Sequence, residues 1–199
     1  MNFRIICWNI RGLNNAGKRF NISNLLKNWK SDVVCFQETK MEWIFAELFG
    51  VYGVVLSWLE WFCQPFGALG GILLLWNKCT VEHIEEAVGT FSISCKFKST
   101  LDQFIWAFSG VYGPNADSDR HYLWEELSRV FSWWEISWCI GGDFNVTHFL
   151  NGRVGASRLT SAMWELLDFI SEQGLMDTPL VRGSFTWSNN QDLPLCPGL

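Results

Sequence analysis

Lysine and arginine are in short supply: 15 of them stand against 20 aspartates and glutamates in 199 residues, a formal net charge of −5. That balance excludes a tight, nonspecific grip on nucleic acid by a global positive field, so any nucleic acid must be held by local basic groups and metal ions. Charged residues are only 18% of the chain and hydrophobic ones 49%, which excludes disorder as the main state. The seven cysteines, an odd number, include no C-x-x-C pair and no His/Cys cluster at zinc spacing. Cys7, Cys35, Cys95 and Cys139 sit inside apolar, strand-like runs, where thiols act as small hydrophobes. This usage reads as a reducing compartment, nuclear or cytoplasmic. The N-terminus lacks the basic and apolar regions of a secretory signal, so the expectation is a protein that is not secreted. The longest uncharged stretch, residues 61–77, is interrupted by Gln64, Pro65 and several glycines and reads as loop plus strand, with no membrane association.

What is present in quantity is aromatic surface. Thirteen tryptophans and sixteen phenylalanines exceed what an exterior can carry, so many must be internal or form a binding face. The length suits one globular domain, here taken as residues 1–190 with an irregular tail over 191–199.

The most informative stretch is Trp138-Cys139-Ile140-Gly141-Gly142-Asp143-Phe144-Asn145. An apolar run reads as a buried strand that ends in two glycines and then delivers a carboxylate and a carboxamide two residues apart. Period-two geometry points Asp143 and Asn145 to one side, and the glycines permit close approach of another backbone or a phosphate. Such a pair suits metal-assisted phosphoryl chemistry, with the carboxylate orienting water and the amide bonding a phosphate oxygen. The plainer alternative is a strand ending in an Asp/Asn turn.

Along the chain, residues 3–10 read as a strand ending near Asn9. Residues 18–30 read as a helix with Phe20, Leu25, Leu26 and Trp29 inward, and residues 33–38 as a second strand ending in Glu38. A short helical segment is expected over 42–49. Four strands follow over 70–76, 81–86, 91–98 and 103–111. A helix over 120–134 is capped by Asp117, Ser118 or Asp119, with Leu123, Trp124, Leu127, Val130 and Phe131 as its apolar stripe. Past the Asp143 strand come a loop over 153–157, a helix from Thr160 to about Gln173 with Trp164, Leu167 and Ile170 inward, and a strand over 183–187. Strands and helices alternate, then meander, then alternate again, which predicts a four-layered α/β sandwich of two mainly antiparallel sheets with outer helices. Asn9, Glu38, Tyr112, Asp143 and Asn145 all fall at strand ends, as expected of a site carried on a rigid scaffold.

Trp8-Asn9, Gln37-Glu38-Thr39, Val111-Tyr112-Gly113-Pro114-Asn115 and Gly142-Asp143-Phe144-Asn145, in this order and spacing, resemble the endonuclease/exonuclease/phosphatase superfamily of DNase I-like and abasic-site endonuclease-like enzymes. Asn9-Ile10-Arg11-Gly12-Leu13-Asn14, Phe36-Gln37-Glu38-Thr39-Lys40, residues 70–77 and Ser184-Phe185-Thr186-Trp187-Ser188-Asn189 further resemble the nuclease domain of plant LINE-type, non-LTR retrotransposons. The resemblance implies a DNA-nicking, metal-dependent phosphodiester hydrolase that leaves a 3′-hydroxyl. It implies Glu38 as the principal ligand of Mg2+ or Mn2+, with Asn9 in the metal shell or on the phosphate. Tyr112 is implied on the scissile phosphate, Asp143 as the residue that activates water, and Asn145 as a brace for the transition state. Arg11 and Asn115 are substrate-binding candidates; Arg11 stands where abasic-site enzymes have an aspartate.

In the family an Asp-His pair near the C-terminus completes the site, and this sequence stops before it. The expectation is therefore a truncated copy with an incomplete second sheet and impaired activity, acting as a monomer. Ser118-Asp119-Arg120-His121 is read as helix-start chemistry, and His83, His121 and His148 as residues outside the site. A noncatalytic remnant or nucleic-acid-associated module of the same fold is the alternative reading, and a phosphatase of the superfamily a further one.

Overall fold

The computed structural model describes residues 3–40, 59–63, 71–146 and 159–178. The helix expected over 42–49, the loop over 153–157, the strand over 183–187, the 191–199 tail and His148 lie outside the described residues. The chain divides into two compact units, the first formed by residues 1–112 and 134–143 and the second by 113–133 and 144–199.

Among the described residues the first unit holds two four-stranded sheets. One contains β1 (Ile5–Asn9), β2 (Val33–Gln37), β3 (Leu59–Cys63) and β4 (Ile72–Asn77) in the order β1-β2-β4-β3. The other contains β5 (Val81–Val88), β6 (Ser92–Ser99), β7 (Ile105–Tyr112) and β8 (Ser137–Asp143) in sequence order. Each sheet is antiparallel apart from one parallel pair, β1 with β2 and β7 with β8. Every residue of β2 is buried, and the period of two divides them between two cores. Val33 and Cys35, with Ile72, Leu74 and Trp76 of β4, pack against Ile93, Cys95 and Phe97 of β6 and Trp106 and Phe108 of β7. The alternate residues Val34, Phe36, Leu73 and Leu75 pack against Ile22 and Leu26 of helix α1 (Ala16–Trp29). Sheet on sheet and helix on sheet are thus written into adjacent positions of the same strands.

Helix α1 starts where the Asn15 side chain accepts a hydrogen bond from Lys18 N, and stops at Lys30 in a left-handed conformation with φ 49°. Of the expected stripe Leu26 is buried and Trp29 packs against the same core, but Ile22 joins them and Phe20 is 49% exposed. Phe20 and Ile22 are two positions apart, which places them on opposite sides of an α-helix. Strand β3 was not anticipated; its first residues precede the interrupted stretch that reads as loop, and it forms only by pairing with β4. Among the described residues β8 is the last strand of its sheet, and it is of mixed exposure, not a buried one. Its neighbour-facing Trp138 is fixed by an indole Nε1 to Ser109 Oγ bond of 2.8 Å. Cys35 and Cys95 are buried as expected, while Cys7 and Cys139 are exposed.

The second unit holds α2 (Arg120–Trp134), apart from its last residue, and α3 (Ser161–Glu172). A single 3-10 turn, Asp117–Asp119, precedes α2; its own N-cap position is Ala116, which has no capping side chain, and Asp117 pairs with Arg120 at 2.6 Å. In α2 the stripe Leu123, Trp124, Leu127 and Val130 is buried as expected. Thr160 caps α3 through Met163 N. The buried face of α3 is Ala162, Met163, Leu166 and Phe169, and Trp164 is 55% exposed instead of inward. Phe169 decides this rotation, since its ring stacks on Trp124 of α2 with centroids 5.1 Å apart. Among the described residues no helix is long and apolar enough to cross a membrane.

Gly142 holds β8 against β7. Its φ is +147°, and a Cβ there would lie 2.0 Å from the carbonyl oxygen of its register partner Val111. Gly142→Ala is expected to lower unfolding free energy by more than about 3 kcal/mol, through overpacking against backbone. Urea denaturation of the variant, read as a lower midpoint or loss of soluble protein, checks this.

Candidate active site

The two parallel strand pairs determine where polar side chains gather. Parallel strands end at the same edge, so β1 and β2 finish together at Asn9 and Gln37, which are register partners. Likewise β7 and β8 finish together at the register partners Tyr112 and Asp143. The ends of both pairs meet through hydrogen bonds across the sheets. Asn9 Nδ2 donates to Glu38 Oε1 and to Asp143 Oδ2, each at 2.9 Å. The Tyr112 hydroxyl donates to the same Glu38 Oε1 at 2.9 Å. Four of the residues singled out in the sequence, Asn9, Glu38, Tyr112 and Asp143, therefore form one cluster at one rim of the first unit.

Local backbone holds this arrangement. Glu38 follows β2 with φ 51°, a left-handed conformation uncommon for a residue with a side chain. It is kept there by its neighbours: Ile10 N donates to Gln37 O, Gly12 N to Glu38 O at 2.6 Å, Leu13 N to Thr39 O, and Thr39 N to Gly71 O. The same loop is tied to α1 by Lys18 Nζ on Ile10 O and by Arg19 on Leu13 O and Asn14 O. Arg11 is exposed, and its backbone N–H donates to Asn9 Oδ1 at 3.2 Å. The donor side of the Asn9 amide thus faces the carboxylates and its oxygen faces the loop.

Burial pushes the Glu38 carboxyl up, but the Asn9 and Tyr112 hydrogen bonds and the Lys40 ammonium outweigh it and hold the group below its ordinary range. Lys40 Nζ stands 3.5 Å from Glu38 Oε2, with the lysine side chain 52% exposed and that of the glutamate 19%. The Tyr112 hydroxyl moves the opposite way, raised by burial, by its bond to Glu38 and by the charges of Glu38 and Asp143. It is therefore a proton donor at neutral pH. Lys40 is the cluster residue that had no role in the sequence reading; its signal was its place two residues after Glu38 in Gln37-Glu38-Thr39-Lys40.

Asn115 and Asn145 belong to the second unit. Asn115 is exposed. Asn145 has φ 55°, so the strand alternation that would have aligned it with Asp143 ends at residue 143. Its side-chain Nδ2 donates to Gly113 O at 2.6 Å, and its backbone oxygen accepts from Arg120 at 2.7 Å. His83 lies on β5, the far edge strand from β8, stacked on Trp76 and 3.2 Å from Glu86.

This framework has known relatives. The Endonuclease/Exonuclease/phosphatase family matches the chain over residues 6–196. The chain belongs to that family. No curated protein sequence matches it. Solved structures share its DNase I-like fold of two mixed sheets with helices. The endonuclease domain of TRAS1, a telomere-specific non-LTR retrotransposon, has a TM-score of 0.68 at 14% identity, covering 98% of this chain and 84% of that one. The AP endonuclease LMAP from Leishmania major has a TM-score of 0.64 at 17% identity, covering 86% and 66%. A mannosyl-6-phosphatase from Bacteroides thetaiotaomicron has a TM-score of 0.57 at 15% identity, covering 86% and 71%. The chain spans 65% of the human Nocturnin catalytic domain, which it also resembles.

Endonuclease/exonuclease/phosphatase enzymes are generally dependent on divalent metals. The donor set here fits a hard cation: Glu38 and Asp143 offer carboxylate oxygens, and Glu38 Oε2 faces an exposed ammonium that an ion can displace. Among the described residues no group of three or more His, Cys, Asp or Glu is placed to hold a metal. An ion at Glu38 would thus rest on one or two carboxylates and keep several waters, as Mg2+ does.

Because the folded-state pKa of Glu38 is lowered, its contribution to stability is present above the ordinary carboxylate value of 4.5 and is lost as pH falls through the folded value. The urea midpoint is expected to drop below pH 4.5 more steeply in the native chain than in Glu38→Gln. Parallel pH profiles of the two would contradict the assignment.

Proposed function

We propose that this chain is a metal-dependent phosphodiester hydrolase domain of retrotransposon origin that nicks DNA. The observation that carries the reading is the Asn9 amide shared between Glu38 and Asp143, with the Tyr112 hydroxyl on the same Glu38 oxygen. Two carboxylates held together by an amide and a phenol suit phosphoryl transfer, where charge builds on oxygen as water attacks phosphorus. The order of the Asn9, Glu38, Tyr112 and Asp143 motifs and the fold shared with the TRAS1 endonuclease domain support DNA of retroelement type as the substrate, and with it a nuclear setting.

In this reading Glu38 holds Mg2+ or Mn2+, which when bound neutralises charge developing on the phosphate. Asn9 keeps the two carboxylates in register and places its N–H groups near the phosphate. Asp143 takes a proton from the attacking water. The water oxygen bonds to phosphorus, the bond from phosphorus to O3′ breaks, and the departing O3′ takes a proton from solvent water to become a free 3′-hydroxyl. Tyr112, kept protonated, donates to a phosphate oxygen. Arg11 and Asn115 contact the DNA backbone, and Asn145 acts through the backbone turn it closes with Gly113. Among the described residues no imidazole joins the cluster, and slow turnover is expected, since one missing preorganised donor typically costs about 10² to 10³ in rate. The chain works as a monomer.

The test is a supercoiled-plasmid nicking assay with Mg2+ at excess protein. Slow nicking is expected, falling by at least about 100-fold in Glu38→Gln and in Asp143→Asn. Tyr112→Phe should cost about 10-fold or more through loss of one donor. No nicking by the native chain would favour a noncatalytic module, and nicking unchanged in Asp143→Asn would contradict the assigned roles.

A further inference from the structure

The net charge of −5 is unevenly spread along the chain. Residues 1–31 contain Arg4, Arg11, Lys18, Arg19, Lys27 and Lys30 and no aspartate or glutamate, a formal charge of +6, so residues 32–199 carry −11. This basic segment is β1, the loop after it and α1. A strong local excess of one sign attracts a polyanion even when the whole chain is negative.

The six cations are not equivalent. Lys18 and Arg19 are partly buried and bond the loop carbonyls of Ile10, Leu13 and Asn14. Arg11, Lys27 and Lys30 are exposed. On the other sheet the lysines of β6 stand beside glutamates of β5, Lys96 with Glu85 and Lys98 with Glu82. Lys27 and Lys30 make no ion pair among the described residues. The first carboxylate of the chain, Asp32, accepts from the backbone N–H of Arg4 at 2.8 Å. With 3.6 residues per turn, Phe20, Asn24, Lys27 and Asn28 fall on the side of α1 opposite the buried Ile22 and Leu26. Amides and a cation with no acid among them are the groups that bond phosphate oxygens.

This face is continuous with the Asn9, Glu38, Tyr112 and Asp143 cluster. The loop that leads into α1 is bonded to the chain after β2, Gly12 N to Glu38 O and Leu13 N to Thr39 O. Lys40 lies over the same loop, since a Cβ on Gly12 would be 3.7 Å from Lys40 Cδ. Cations therefore begin beside the cluster with Lys40 and Arg11 and continue on α1 with Lys27 and Lys30. The 14 residues of α1 extend about 20 Å, which matches about six base pairs of duplex. We propose that the outer face of α1 docks the DNA duplex that flanks the cluster, with Lys27 and Lys30 on its phosphates. The identity of the ligand rests on the proposed function; the surface itself rests on charge and placement. Contacts of this kind set position and orientation without reading sequence.

The probe is a labelled duplex of about 20 base pairs, followed by fluorescence anisotropy in EDTA so that no bond is cut. Lys27→Gln combined with Lys30→Asn, the latter suited to the left-handed backbone there, should weaken binding about tenfold at about 0.1 M salt. The slope of log affinity against log salt should flatten by about 2, one for each lost phosphate contact. Lys78→Gln, an exposed lysine in the turn between β4 and β5, should leave affinity and slope unchanged. A native urea midpoint in the double variant shows that its fold is intact. Unchanged affinity and slope in the double variant, an equal loss in Lys78→Gln, or tighter binding of an RNA hairpin than of the duplex would each overturn the surface. Absence of plasmid nicking by the native chain, with the Lys27 and Lys30 effects present, would overturn the proposed function and leave the surface standing.

Discussion

One amide nitrogen joins the two sheets at their shared rim. Asn9 Nδ2 lies 2.9 Å from a Glu38 oxygen and 2.9 Å from an Asp143 oxygen, and these carboxylates come from different sheets. Two neighbouring carboxylates repel each other and tend to share a proton. A donor placed between them offsets that repulsion, and the Tyr112 hydroxyl and Lys40 ammonium add to it on the Glu38 side. The lowered Glu38 pKa and the raised Tyr112 pKa are two expressions of this one arrangement.

The cluster depends in turn on the exceptions within otherwise antiparallel sheets. Had β1 and β2 run antiparallel, Asn9 and Glu38 would emerge at opposite edges; the same holds for Tyr112 and Asp143. The parallel pairs require crossovers, and those crossovers contain α1 and α2. Glycine makes the close approach possible. At Gly141 a Cβ would lie 2.6 Å from Cys7 Sγ, and at Gly110 one would lie 2.4 Å from Cys35 Sγ. Side-chain-free positions on β7 and β8 let the two sheets come together beside the cluster.

Much of this was legible in the sequence because it rests on strand ends and spacing. Asn9, Glu38, Tyr112 and Asp143 were readable as polar residues closing apolar runs, and the family resemblance tied them together in order. Long-range pairing was harder to read. Strand β3 exists through its partner β4, and no local pattern announces a strand whose sequence runs into glycine and proline. The inward face of α3 was misassigned because Trp164 is more conspicuous than Phe169, yet contact with Trp124 decides which ring is buried. Asn145 follows the same lesson: period two holds only while the backbone remains extended, and a φ of 55° ends it. Lys40 was visible but silent, since its value lies in a through-space distance to Glu38.

Under the proposed function, Glu38 and Asp143 form one cation-binding unit organised by Asn9. Electron paramagnetic resonance titration of Mn2+ into the 199-residue chain tests this directly, because it reads bound ion without requiring turnover. One bound Mn2+ per chain is expected, displaced by Mg2+, with affinity lost in Glu38→Gln and reduced in both Asp143→Asn and Asn9→Ala. Mn2+ binding that is unchanged in Glu38→Gln would contradict it.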